Sequence, residues 1–143
     1  MSIHQISVFL ENRAGQLAEI TRILAENHID MRAISIAETA DYGVLRMIVD
    51  DSEKATSILL SHGFILSMTP VLAVSVPDQP GGLAPVLSML AEVGIDIEYM
   101  YSLFTHQDGH AYMVFRVSDE AKFISQLEAH GMKTVTNQEL GIH

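Results

Sequence analysis

The sequence predicts an α+β fold made of two copies of a small βαββαβ domain. Three observations carry this. A segment of the first half recurs in the second at constant spacing. Strand and helix patterns follow the same order in both halves. Each half passes from its first strand to its first helix through a glycine turn.

The duplication comes first, because a missed repeat misassigns a whole fold. The run Gly15-Gln16-Leu17-Ala18 through Leu24-Ala25-Glu26 to Ile29-Asp30-Met31 returns as Gly81-Gly82-Leu83-Ala84 through Leu90-Ala91-Glu92 to Ile95-Asp96-Ile97. The offset is 66, and eight of the seventeen positions are identical. Gly43 and Gly109 keep that offset, whereas His62-Gly63 and His130-Gly131 differ by 68. The second copy therefore carries about two extra residues near its hairpin, where insertions are tolerated. A boundary near Pro70 divides the chain into domains of residues 1–70 and 71–143. No Gly/Ser linker separates them, so the two are expected to pack side by side. Domains this small gain from pairing, because little of their surface is buried alone.

The elements run in order along each copy. Ile6, Val8 and Leu10 alternate with Ser7 and Phe9, as do Leu72, Val74 and Val76 in the second copy, and read as half-buried strands. Leu17, Ile20 and Leu24 recur at helical spacing, matched by Leu83, Val86 and Leu90. The helix ends near Asn27-His28 in one copy and at Gly94 in the other, where glycine suits a left-handed cap. Met31 to Ala37 is a second strand, Asp41-Tyr42-Gly43 a turn, and Val44 to Val49 a third strand. Asp50-Asp51-Ser52 offers capping chemistry before an apolar stripe at Ala55, Ile58 and Leu59. Gly63 stops that helix, and Phe64 to Met68 is a last strand. The second copy repeats the order with Ile97 to Phe104, a loop at Asp108-Gly109, Ala111 to Val117, a cap at Ser118-Asp119, a helix through Phe123 and Leu127, Gly131, and Lys133 to Thr136. Both helices of each copy should cover one face of an antiparallel sheet, leaving its edges open for pairing.

Composition narrows function. The net charge is −10, divided as −4 and −6 between the halves, which repels a phosphate backbone and argues against nucleic acid. Cysteine is absent, so disulfides and thiolate metal sites are excluded and a cytoplasmic location is expected. The apolar runs fall short of the ~20 residues of a membrane span, and Met1-Ser2-Ile3-His4-Gln5 shows no signal-peptide pattern.

The turn into the first helix holds the most chemistry. Glycine permits a tight turn and close approach to the main chain. A helix start presents unpaired N–H groups and a partial positive charge suited to a carboxylate. Asn12 or Asp78 can accept from an ammonium group, and Asp30 and Asp96 follow the helix. An α-amino acid carries both kinds of end-group. The plain structural alternative stays open: Asn and Asp are ordinary helix caps, and Gly and Pro ordinary turn residues.

Glu11-Asn12-Arg13-Ala14-Gly15-Gln16-Leu17 and Asp78-Gln79-Pro80-Gly81-Gly82-Leu83 resemble the signature of the ACT family, in which Asn or Asp precedes Pro-Gly and an apolar helix. The resemblance runs from about Gln5 to Val135, twice. It implies paired ferredoxin-like domains that bind effector amino acids where they meet, near this turn and the start of strand two. By position it points to Asn12, Gly15 and Asp30, and to Asp78, Gly81 and Asp96. Flanking them are Arg13, Ala14, Gln16, Leu17 and Met31 in the first copy, and Gln79, Pro80, Gly82, Leu83 and Ile97 in the second. Ala14 replaces the usual Pro, and Leu10 stands where serine-binding members have His, so serine specificity is not implied. The resemblance implies a regulatory homodimer that senses a small molecule for a separate enzyme or transporter, without a cofactor or catalytic residues.

Other candidates read more simply as structure. His106-Gln107-Asp108-Gly109-His110 could place two imidazoles near a metal, yet it sits where a hairpin turn belongs. Tyr99, Tyr101, Phe104 and Tyr112 lack the basic neighbours of an RNA-binding sheet. Asp50 to Glu53 lacks calcium-loop spacing. An enzyme would need a convergent acid–base pair, which the spacing does not offer. An assembly subunit without ligand is the alternative to a sensor.

Overall fold

A computed structural model describes residues 2–11, 14–38 and 42–142, with Glu38 described through its backbone alone. The order is β1 (Ile3–Glu11), α1 (Gln16–Glu26), β2 (Met31–Glu38), β3 (Tyr42–Val49), α2 (Ser52–Ser61), β4 (Ile65–Pro77), α3 (Ala84–Val93), β5 (Ile97–Ser102), β6 (His110–Val117) and α4 (Glu120–Ala129). Among the described residues no helix is long and apolar enough to cross a membrane.

The chain divides into two compact units at Pro70, and the termini do not follow the cut. Residues 140–142 join residues 4–69, and residues 2–3 join residues 70–139. In the first unit the strands run β2-β3-β1 with the start of β4 beside β1. In the second, the end of β4 is followed by β6 and β5. The pairs β1–β3, β2–β3, β4–β6 and β5–β6 are antiparallel.

Local chemistry sets these elements. The α2 N-cap is Asp51, whose carboxylate accepts from the Lys54 N–H at 3.1 Å, and the α4 N-cap is Asp119, which accepts from Lys122 N–H at 3.0 Å. The two copies thus start their second helix with one device. The first unit buries Ile6, Val8, Leu10, Ile20, Ile23, Leu24, Leu45, Met47 and Leu59 together. The second buries Leu72, Val74, Val76, Val86, Met89, Leu90, Phe115, Phe123 and Leu127. There the rings of Phe115 and Phe123 meet edge to face at 5.4 Å.

Several expectations change. β1 is not half-buried: Gln5 and Ser7 are also buried, and the Gln5 Nε2–H group donates to Ser7 Oγ at 3.0 Å, which removes much of the cost of hiding both. Tyr42 and Gly43 belong to β3 rather than to a turn, while Asp41 lies outside the described residues. Leu10 faces Gly43 in register, but Val76 faces Ala111, so the offset is already 68 at Gly43 and the Gly43–Gly109 match is not a structural equivalence. The second copy's last segment makes only an isolated bridge, Thr134 to Val74, fixed by Ser75 N–H to Lys133 O at 3.0 Å and Val135 N–H to Ala73 O at 2.8 Å. β5 also stops at Ser102, leaving Phe104 outside it and exposed.

Strand direction decides which residues share an end of the sheet. In the first unit Glu11 pairs with Tyr42 and Glu38 with Gly43, so the end of β1, the end of β2 and the start of β3 lie together at one end. Met31 pairs with Val49 at the other end. α1, eleven residues long, connects the two ends over about 16 Å.

Candidate cavity at the first helix start

β1 ends at Glu11, and Gly15 turns the chain into α1 with φ +86°, a left-handed conformation that favours glycine. Gly15 is the N-cap and offers no side-chain cap, but its carbonyl accepts from the Glu19 N–H at 2.9 Å. α2 ends at the same end of the unit. Gly63 (φ +83°) reverses the chain there, and the Phe64 N–H donates to Leu59 O at 3.2 Å before β4 begins at Ile65.

These segments enclose a cavity of about 420 Å³ lined by Phe9, Leu10, Glu11, Gln16, Tyr42, Gly63, Phe64 and Ile65. Its wall is mostly apolar and aromatic. The Phe9 and Tyr42 rings lie 6.3 Å apart, tilted by 54°. Phe9, Tyr42 and Ile65 are exposed, while Phe64 is buried. Gln16, the first residue of α1, is only 7% exposed, and its Oε1 is buried without a hydrogen-bond partner. Such an orphaned acceptor costs about 1–3 kcal/mol unless something satisfies it.

The second unit has a smaller cavity at the corresponding place. It measures about 270 Å³ and is lined by Ser75, Val76, Pro77, Gln79, Gly81, Gly82, Pro85, Val86 and Met132. Val76 and Gly82 correspond to Leu10 and Gln16, and Met132 to Phe64. The turn is closed by its own bonds: Gln79 N–H to Pro77 O at 3.0 Å, Gly82 N–H to Gln79 O at 3.0 Å, and Asp78 N–H to Gly109 O at 2.9 Å. A Cβ on Gly82 would lie 1.9 Å from Pro77 O, so only glycine fits.

The residues singled out from sequence divide into two groups. Gly15 adjoins and Gln16 lines the larger cavity, with exposed Ala14 preceding them, and Gln79, Gly81 and Gly82 line the smaller. Leu17 and Leu83 pack against the two cores. Pro80 is exposed in its turn, and Asp78 faces a separate hollow of about 210 Å³ with His106 and His110. Asn12 and Arg13 lie outside the described residues.

Asp30, Met31, Asp96 and Ile97 are not brought to the turns of their own units. The Asp30 N–H donates to Asp50 Oδ1 at 2.9 Å, its carbonyl accepts from the Asp50 N–H at 3.0 Å, and its carboxylate pairs with Arg32 at 3.1 Å. Asp96 repeats the pattern with Ser118, at 3.1 Å to Oγ and 3.0 Å from the Ser118 N–H. Both pin the start of a strand at the far end of the sheet. The turn and the strand-two Asp of one unit therefore cannot hold the two ends of one amino acid.

Sequence reasoning missed Phe9, Tyr42, Phe64 and Ile65 as cavity residues. Phe9 carried a signal, being a large apolar residue at a position that alternation assigns to the polar face. His106–His110 closes a turn through the His110 N–H to Gln107 O at 2.8 Å. Among the described residues no cluster of three or more His, Asp or Glu could hold a metal ion.

Residues 1–141 match the family model described as an ACT domain pair. The crystal structure of protein BT0572 from Bacteroides thetaiotaomicron is 40% identical, with a TM-score of 0.91, over 99% of this chain and 96% of that one. The ligand-free regulatory subunit of aspartate kinase from Thermus thermophilus is 18% identical, with a TM-score of 0.67, over 90% of each chain. The corresponding subunit from Thermus flavus is 15% identical, with a TM-score of 0.60, over 98% and 92%. These last two likenesses concern the fold alone. No curated protein matches.

Proposed function

This chain belongs to the ACT domain pair family, and we propose that it is a regulatory module that binds an amino acid and reports it to a separate enzyme or transporter. It carries out no reaction of its own in this reading. The carrying observation is the orphaned Gln16 Oε1 beside a cavity of about 420 Å³ where a helix begins. A cavity of this size and lining suits a small ligand. The start of α1 supplies partial positive charge for a carboxylate, and the Gln16 carbonyl supplies an acceptor for an ammonium group.

The site residues of the proposal are Asn12, Arg13, Ala14, Gly15, Gln16 and Leu17 around the first turn. Asp78, Gln79, Pro80, Gly81, Gly82 and Leu83 form the corresponding turn of the second copy. The Thermus chains, by their names, are regulatory subunits of aspartate kinase. A sensor acting on a separate catalytic chain is the arrangement we carry over. Binding shifts the population of module conformations, and the partner reads that shift. A cytoplasmic homodimer completes the reading.

The test is calorimetric titration of the whole chain with each of the common amino acids. Saturable binding of one or a few at millimolar concentration or tighter is expected. Absence of binding by all of them overturns the proposal.

A further inference from the structure

We infer that only the first copy holds an effector, and that this effector is an amino acid with an aromatic side chain, its ammonium group satisfying Gln16. The inference rests on the regulatory reading above and narrows it to one site and one ligand class.

The polar half of the argument is Gln16. A side chain 7% exposed with a buried, unpartnered carbonyl is an acceptor prepared for a donor that the free protein lacks. Among the described residues that line the cavity none is a lysine or an arginine. An orphaned carbonyl oxygen calls for a donor such as an ammonium group, not for another acceptor.

The apolar half is the ring pair. Phe9 and Tyr42 are each 46% exposed, with centroids 6.3 Å apart at 54°. Phe64 and Ile65 add further apolar surface to the cavity wall. Exposed rings tilted about a cavity gain from a third ring through edge and offset contacts. A small polar side chain such as that of serine would leave this surface uncovered.

The second copy lacks both halves. Gly82 replaces Gln16, and the 1.9 Å approach of a Cβ to Pro77 O forbids any side chain there. The positions matching Phe9, Tyr42 and Phe64 are Ser75, His110 and Met132, and the cavity is about 270 Å³. That unit is the structural partner, not a second sensor.

The experiment is calorimetric titration of L-phenylalanine, L-serine and L-aspartate into the whole chain, into Gln16→Met and into Phe9→Ala. L-Phenylalanine should bind once per chain, about tenfold or more tighter than L-serine or L-aspartate. Gln16→Met should weaken L-phenylalanine by about tenfold. Its unfolding midpoint should equal or exceed that of the unsubstituted chain, because an unsatisfied buried carbonyl is removed. Phe9→Ala, at an exposed position, keeps the test open should Gln16→Met fold poorly, and should weaken L-phenylalanine about fivefold or more. Two sites per chain, or affinity unchanged in both variants, overturns the inference. Preference for L-serine, L-aspartate or another amino acid of the wider panel overturns it and leaves the regulatory reading standing. No binding of any amino acid removes both.

Discussion

Gly82 and Pro77 approach so closely that a Cβ on Gly82 would sit 1.9 Å from the Pro77 carbonyl oxygen. The obstacle is backbone, which cannot swing aside as a side chain can. Gly82→Ala should therefore cost about 2–4 kcal/mol, as strained core changes do. Gly81→Ala meets no atom within 4 Å but carries φ +80°, so it should cost only about 1–2 kcal/mol. Urea unfolding of the two variants, with the larger loss at Gly82, checks the difference.

Asp51 and Asp119 cap equivalent helices through the same bond, to Lys54 N–H and Lys122 N–H. Asp51→Ala and Asp119→Ala should each cost about 1 kcal/mol. The two caps belong to different cores, so the double variant should lose close to the sum. Chemical denaturation of the three proteins measures this, and strong non-additivity would contradict independent capping.

Phe123 is fully buried and meets Phe115 edge to face at 5.4 Å. Phe123→Ala should cost about 3–5 kcal/mol. Phe123→Leu, which keeps much of the volume, should cost less. Thermal unfolding of both variants orders them.

Glu139 stands in a reciprocal turn with Thr136. Its carboxylate accepts from the Thr136 hydroxyl at 3.2 Å, and its own N–H donates to Thr136 Oγ1 at 3.2 Å. Partial burial would raise its pKa, but Lys133 and the Thr136 donors outweigh this and hold the carboxyl below its ordinary value. A depressed carboxyl stabilises the fold above its unfolded pKa and loses that contribution as pH falls through the folded one. Glu139→Gln should therefore flatten the acid limb of stability against pH below about pH 5 and leave its neutral-to-alkaline shape unchanged. Unfolding midpoints of the two proteins from pH 3 to pH 8 test the sign.

Much of the fold was legible because duplication doubles every signal. The helices through Ile20–Leu24 and Val86–Leu90 matched at a fixed offset, and Asp51 and Asp119 marked the later helices. Burial of Gln5 and Ser7 was hidden because two polar residues in alternation read as a solvent face. The two-residue insertion was legible near the β5–β6 hairpin, but its boundary was not, because Gly43 and Gly109 match by coincidence of spacing and only strand register shows that Gly43 corresponds to Ala111.

The candidate site was legible at the turn and not beyond it. Gly15, Gln16, Gly81 and Gly82 are local features of a strand-to-helix passage, visible in sequence. Phe9, Tyr42, Phe64 and Ile65 come together only through sheet pairing and the end of α2, contacts long in sequence. Asp30 looked adjacent because it follows the helix, yet an eleven-residue helix carries it to the opposite end of the sheet.

The most direct measurement is amide hydrogen exchange of the whole chain with and without saturating L-phenylalanine. Slowed exchange across residues 14–18 and 63–66, with residues 80–84 unchanged, is the expected result. Equal slowing at both turns, or slowing confined to the Asp30–Arg32 end of the sheet, would contradict a single effector site at the start of α1.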